Sequence, residues 1–168
     1  MSRAGGSNHR GSPWLSPSQQ RTWVTYMRVQ LRTNYEINRQ LQRDSGLSLA
    51  DYHVLNALNN APDHTPQVTD LAAVIGWERS RLSHHLRRLC ERGLARRVQS
   101  EDDRRATDAV LTEEGMSAVV AALPGHAALV RRLFFDALPE ELVVPFTEAL
   151  EHIEATLNLD SSLPPFPP

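Results

Sequence analysis

The sequence predicts a mainly helical α+β fold in which two short helices and a charged hairpin are carried between long amphipathic helices. Three observations predict it. Apolar residues recur at helical spacing through most of the chain, glycines at 46, 76 and 93 punctuate those runs, and two segments near 94–99 and 107–111 are short enough for strands.

A chain of 168 residues has room for one domain, or one domain plus an appendage, with a real core. Its 40% apolar and 23% charged residues are those of a globular protein. No apolar run approaches the roughly 18 to 20 residues of a membrane span. The N-terminus Met1-Ser2-Arg3-Ala4-Gly5-Gly6 lacks the apolar stretch of a secretory signal. Cys90 is the single cysteine, which excludes an internal disulfide framework and a multi-cysteine zinc site. A cytoplasmic protein without a membrane partner is expected.

Residues 1–18, rich in Ser, Gly, Pro and Asn, read as a flexible arm. From 19 to 43 there is neither Gly nor Pro, and Trp23, Met27, Leu31 and Tyr35 follow at i+4 spacings, continued by Ile37 and Leu41. This predicts a long amphipathic helix, ended by Ser45-Gly46. Ser48, three residues before Asp51, opens a short helix carrying Tyr52, Leu55 and Leu58 that stops before Pro62. A second short helix takes Thr69 as its N-cap, buries Leu71, Val74 and Ile75, and closes at Gly76, a position that favours positive φ.

Glu78 to Arg92 form a third helix with Leu82, Leu86 and Leu89 on one narrow stripe and polar residues elsewhere. Gly93 stops it. The two strands follow, joined by Ser100-Glu101-Asp102-Asp103-Arg104-Arg105 at hairpin position. Thr112 caps the next helix, whose first turn holds Glu113 and Glu114, the sign that suits the helix dipole. Pro124-Gly125 is expected to interrupt it before the pattern resumes through Leu129, Leu133 and Phe134. A last helix is expected from Pro139, with a kink or late start at Pro145, running through Leu150, Ile153 and Leu157 to a tail from 159 to 168.

The net charge of −2 conceals a polarity. Residues 1–44 hold seven Arg against two acids, and 45–77 hold three Asp and no base. Residues 78–105 hold nine Arg against five acids, and 106–168 two Arg against ten acids. Every basic residue is arginine, the side chain whose planar fork suits bidentate contacts. Because charges are screened beyond about 10 Å, a local basic block matters to a polyanion more than the average does.

Two short helices joined through Gly76, the second arginine-rich on its outer face, then a hairpin with arginines at its tip, have the order of a winged helix-turn-helix. In that arrangement the second helix enters the major groove of double-stranded DNA and the hairpin reaches a neighbouring groove or the backbone. Arg79, Ser80, Arg81, Ser83, His84, Arg87 and Arg88 lie off the leucine stripe and are the candidate DNA contacts on the helix. Asp103, Arg104 and Arg105 are the candidates on the wing.

The run Val68-Thr69-Asp70-Leu71-Ala72, then Gly76-Trp77-Glu78-Arg79-Ser80-Arg81-Leu82-Ser83-His84-His85-Leu86, Arg92-Gly93-Leu94, and Asp103-Arg104-Arg105 with Leu111-Thr112-Glu113-Glu114-Gly115 resembles the multiple-antibiotic-resistance regulator (MarR) family. The likeness covers about 47–115. It implies a homodimeric transcription regulator, usually a repressor, that a small-molecule effector or oxidation releases from an inverted-repeat operator. It also implies that Arg105 enters the minor groove as the wing-tip arginine and that Asp103 braces arginines of the wing and helix. The organisation expected is an arm (1–18), an N-terminal dimerisation helix (19–46), a winged helix-turn-helix domain (47–112), C-terminal dimerisation helices (113–158) and a tail. Glu78 departs from the family pattern, standing where a small capping Ser is common.

Trp23, Tyr26, Tyr35, Tyr52 and His53 read either as packing between the long helix and the DNA-binding lobe or, by the resemblance, as contacts of an effector. Adjacent His84 and His85 do not share a helix face, so they do not form a metal pair, and neither metal nor other cofactor is expected. Cys90 reads as a half-buried thiol, or as a redox switch if Arg87, Arg88 and Arg92 lower its pKa. No nucleophile, base and orienting group form a catalytic set, so an enzyme is not expected. The alternative to a DNA reader is a winged-helix module whose arginines meet an acidic protein.

Overall fold

The structure is a computed structural model, which describes residues 14–61, 65–100 and 106–160. Element order is α1 (Pro17–Ser45), α2 (Leu49–Asn60), α3 (Val68–Val74), α4 (Arg79–Glu91), β1 (Ala95–Gln99), β2 (Thr107–Leu111), α5 (Glu113–Val130), a π-helical turn (Arg131–Phe135) and α6 (Glu140–Asp160). Asp103, Arg104 and Arg105, most of the N-terminal arm and most of the tail lie outside the described residues. The chain divides into two compact units, residues 1–36 and 37–168, with the boundary inside α1.

In the first unit, α1 begins at Pro17, two residues before the helix expected from residue 19. The Gln19 backbone N–H donates to Ser16 Oγ at 3.3 Å and the Ser16 N–H donates to Gln19 Oε1 at 2.8 Å. This reciprocal cap, followed by a proline that has no amide proton to lose, starts the helix inside what composition alone marks as a loose arm. Trp23 and Tyr26 pair with ring centroids 5.7 Å apart. Both remain exposed, as do Leu31 and Tyr35, the latter 62% accessible.

The second unit holds the core. Leu41, Val54, Leu55, Leu82, Leu86 and Val119 are fully enclosed, so the end of α1, α2, α4 and α5 share one apolar interior. α2 starts where the sequence places it, because Ser48 and Asp51 form a complete capping box. α3 starts two residues earlier than a Thr69 cap implies: Gln67 is its N-cap and makes a bridge to Asp108, while the Ala109 N–H donates to Pro66 O at 3.0 Å. Tertiary pairing to β2 overrides the local capping preference. Gly76, at φ 66°, then turns the chain into the next helix as expected.

β1 and β2 pair antiparallel, with Ala95 opposite Leu111 and Gln99 opposite Thr107. Thr112 caps α5 by accepting from the Gly115 N–H at 3.0 Å and donates to Gly93 O at 2.7 Å, which fastens the wing to the end of α4.

Two helical expectations are corrected. α5 does not break at Pro124-Gly125 but runs through to Val130. The lost amide proton costs helix stability, yet Val119, Ala122 and Leu129 bury on both sides of the proline, and Gly125 leaves room for the Gln40 side chain. The irregularity falls instead at the π-helical turn, where the Asp136 N–H donates to Arg131 O at 2.8 Å. Joined through that turn, Glu113–Phe135 make 23 helical residues, long and apolar enough by composition to cross a bilayer, unlike the interrupted pattern read from sequence. α6 likewise continues through Pro145 and starts at Glu140, with Pro139 just outside it accepting from the Leu142 N–H at 2.9 Å.

Candidate nucleic-acid interface

α4 separates its residue types by face. Leu82, Leu86 and Leu89 are buried, whereas Arg79, Ser80, Arg81, His84, Arg87 and Arg88 are exposed. Six of the seven helix residues singled out from sequence therefore share the accessible side. Ser83, the seventh, is half-buried and engaged: Arg97 of β1 donates through Nη2 to the Ser83 carbonyl oxygen at 3.2 Å and to its hydroxyl. Arg97 escapes a search for arginines on a helix face, but its strand register could have found it, since it lies in phase with buried Ala95 and so faces α4.

The helix is anchored by groups the motif does not announce. Asp51, at the N-terminus of α2, is buried. Its Oδ2 accepts from the Ser48 N–H at 2.9 Å and from Arg92 Nη1 at 2.8 Å, and its Oδ1 lies 2.8 Å from His85 Nε2. Burial alone would raise the Asp51 carboxyl, but the Ser48 backbone donor and the Arg92 guanidinium outweigh it and hold the group below its ordinary value. For His85, burial pushes the imidazole below its ordinary value even though Asp51 pulls the other way. Arg92 also donates to Gly46 O at 3.1 Å, tying the end of α4 to the loop before α2. His85 thus belongs to the scaffold, and His84 to the surface.

At the start of α4, Glu78 is the N-cap and makes no side-chain capping bond, as its departure from the family pattern implies. The neighbouring Trp77 is 8% exposed, meets His85 edge-on at 5.4 Å, and carries the Arg81 guanidinium over its ring at 4.0 Å from the centroid. Arg87 lies 4.0 Å from Glu91, one turn along the helix.

The residues considered as effector contacts divide between the two units. Trp23, Tyr26 and Tyr35 stand exposed in the first unit. In the second unit Tyr52 is buried and stacks on His126 at 4.8 Å, while His53 presents itself at the surface. His126, absent from the sequence reading of this site, is held below the ordinary imidazole value by burial. His126 Nδ1 and Gln40 Oε1 are buried without a hydrogen-bond partner among the described residues. No group of three or more His, Cys, Asp or Glu that could hold a metal occurs among the described residues. For Cys90, burial raises the thiol above its ordinary value and outweighs the opposing pull of Arg97, so the helix arginines near it in sequence do not activate it.

Two helices joined by a tight turn, the second with a polar arginine face, backed by a two-stranded wing, define a winged helix-turn-helix protein. The comparisons make the class specific. The MarR family profile matches residues 45–106. AbsC, a MarR family transcriptional regulator from Streptomyces coelicolor, is 34% identical over 88% of this chain and 99% of its own, with a TM-score of 0.81. Sco3205, from the same organism and family and solved in complex with DNA, is 32% identical over 92% of this chain and 97% of its own, with a TM-score of 0.84. The HTH-type transcriptional regulator YfiV of Bacillus subtilis (strain 168) is 31% identical over 121 residues, 71% of this chain and 73% of YfiV. The chain belongs to the MarR family of transcriptional regulators, a family of regulators and not of enzymes.

Proposed function

We propose that this regulator is a cytoplasmic, ligand-responsive repressor that binds an inverted-repeat operator as a homodimer. The observation that carries the reading is the partition of α4, with leucines behind and Arg79, Ser80, Arg81, His84, Arg87 and Arg88 in front. A helix so divided packs on its own domain and offers donors to the major groove, where arginine reads guanine O6 and N7. The DNA complex of Sco3205 supports the same use of the fold. On the wing, Arg105 takes the minor-groove role, with Asp103 and Arg104 beside it. Ser83 acts mainly through its tie to Arg97.

Dimerisation is supported by apolar side chains that a single chain leaves in water: Trp23, Leu31 and Tyr35 on α1, and Val144, Ile153 and Leu157 on α6. Two recognition helices about a twofold axis would then meet half-sites about 34 Å apart. An effector site is supported near Tyr52 and His126, where the orphaned Nδ1 and Gln40 Oε1 offer polar partners.

The test is duplex binding across a salt series, on a fragment enriched from a randomised library against the full chain. Affinity falling steeply with salt and losing about 1 to 3 kcal/mol in Arg105→Ala is the expected result. Binding indifferent to salt, or an unchanged Arg105→Ala, overturns the wing and groove assignment. Sedimentation showing a monomer at micromolar concentration overturns the dimer.

A further inference from the structure

We propose that Trp77 is a positioning residue for Arg81: its indole face is a platform that holds the guanidinium at the entrance of α4 while leaving its hydrogen-bonding edge free for DNA. The proposal rests on the reading of α4 as the helix that enters the major groove, and adds to it a residue that touches no base.

Arg81 occupies the third position of α4, in the first turn, where a recognition helix presents side chains to base edges. An arginine there must hold its fork in one orientation to discriminate bases, and a long flexible side chain loses rotamer entropy in doing so. Orientation through a carboxylate would consume the donors that guanine or phosphate needs. Stacking does not. A guanidinium lying over an aromatic ring is held through its face, and its five N–H groups point outward in the plane. The Arg81 Cζ lies 4.0 Å from the Trp77 centroid, within the range of this attraction.

The platform is itself fixed. Trp77 is 8% exposed, and its backbone N–H donates to Ala72 O at 2.8 Å, which sets the turn between α3 and α4. The His85 ring meets it edge-on at 84°, and His85 Nε2 lies 2.8 Å from Asp51 Oδ1, whose other oxygen accepts from Arg92. Trp77, just before the N-cap, thus meets Arg81 and His85 of α4, and the chain of contacts runs from a buried carboxylate to a surface arginine. Arg87 contrasts with this arrangement, since its local neighbour is the carboxylate of Glu91 at 4.0 Å.

The experiment is a double-mutant cycle on the library-enriched duplex, with base preference read at every position by competition. Trp77→Leu is expected to weaken binding about fivefold, the order set by a cation–π contact, and to relax the same base position that Arg81→Ala relaxes. Trp77→Leu combined with Arg81→Ala should bind no more weakly than Arg81→Ala alone, while Trp77→Leu and Arg87→Ala should multiply. Trp77→Phe retains a ring and should restore most of the affinity, which separates the platform from a simple loss of packing. Independent effects of Trp77→Leu and Arg81→Ala, or a loss spread evenly over all base positions, overturn the platform. If Arg81→Ala costs nothing while Arg79→Ala weakens binding, the platform falls and the α4 reading stands. If neither costs anything, both fall.

Discussion

Arg92, the residue that ends α4, donates to the buried carboxylate of Asp51 at 2.8 Å across 41 positions of sequence. Asp51 is also the third residue of α2 and closes its capping box, so one side chain starts one helix and holds the end of another. Its loss removes a cap and leaves Arg92 and His85 without their acid. Asp51→Ala is expected to destabilise the fold by about 2 to 4 kcal/mol, part of it the cap. Arg92 is partly exposed and recovers some solvation, which keeps the figure from rising higher. Urea denaturation checks this, and a loss below about 0.5 kcal/mol would mean that the network does not hold the recognition helix.

Where elements form was legible because local and tertiary preferences agree. Ser48 with Asp51, the leucine stripe of α4, Gly76 and Thr112 each act within a few residues and behave as the sequence implies. Where they disagree, tertiary packing prevails: Pro124 stays inside α5 because buried neighbours flank it, and α3 starts early because β2 captures Gln67. Within the candidate site, exposed arginines could be counted from periodicity. The meeting of Asp51 with His85 could not be read that way, since it arises only through folding, while strand register places Arg97 on the face toward α4 without naming Ser83 as its partner.

Acid should weaken the fold in two stages. His85 and His126 are both held below the ordinary imidazole value, mainly by burial. The folded protein therefore resists protonation while the unfolded chain accepts it. Stability is full above about pH 6.5 and declines as pH falls through the imidazole range. Asp51 is depressed from 3.8, so its contribution is present above that pH and lost further below, as the folded carboxyl takes up its proton. Urea midpoints between pH 8 and 5 should decrease, and His85→Gln should flatten part of the decrease. A midpoint constant over that range contradicts the assignment.

Gly115 closes the Leu-Thr-x-x-Gly sequence for a steric reason. A Cβ there would overlap the carbonyl oxygen of Leu94 and stand 2.7 Å from Leu111 Cδ1. A backbone oxygen cannot swing aside, so accommodation must pull α5 away from the wing. Gly115→Ala is expected to cost about 2 kcal/mol, against at most a small change for Ala at an ordinary helical glycine, where the swap favours the helix. Thermal denaturation of the variant decides it, and an unchanged or raised Tm would show that the junction has slack.

Arg97 joins the wing strand to the middle of α4 through the Ser83 carbonyl and hydroxyl. If its task is to set the wing against the recognition helix, Arg97→Ala should weaken operator binding by about 1 kcal/mol, the worth of the lost hydrogen bonds, with the salt dependence unaltered. If the same guanidinium instead neutralises a phosphate, the slope of log affinity against log salt should become shallower by about one. Ser83→Ala separates the two partners of the tie. The backbone carbonyl still accepts from Arg97 in that variant, so its loss should be smaller than that of Arg97→Ala. Equal losses would mean that the Ser83 hydroxyl carries the contact alone, and a loss only in Ser83→Ala would return that hydroxyl to the DNA.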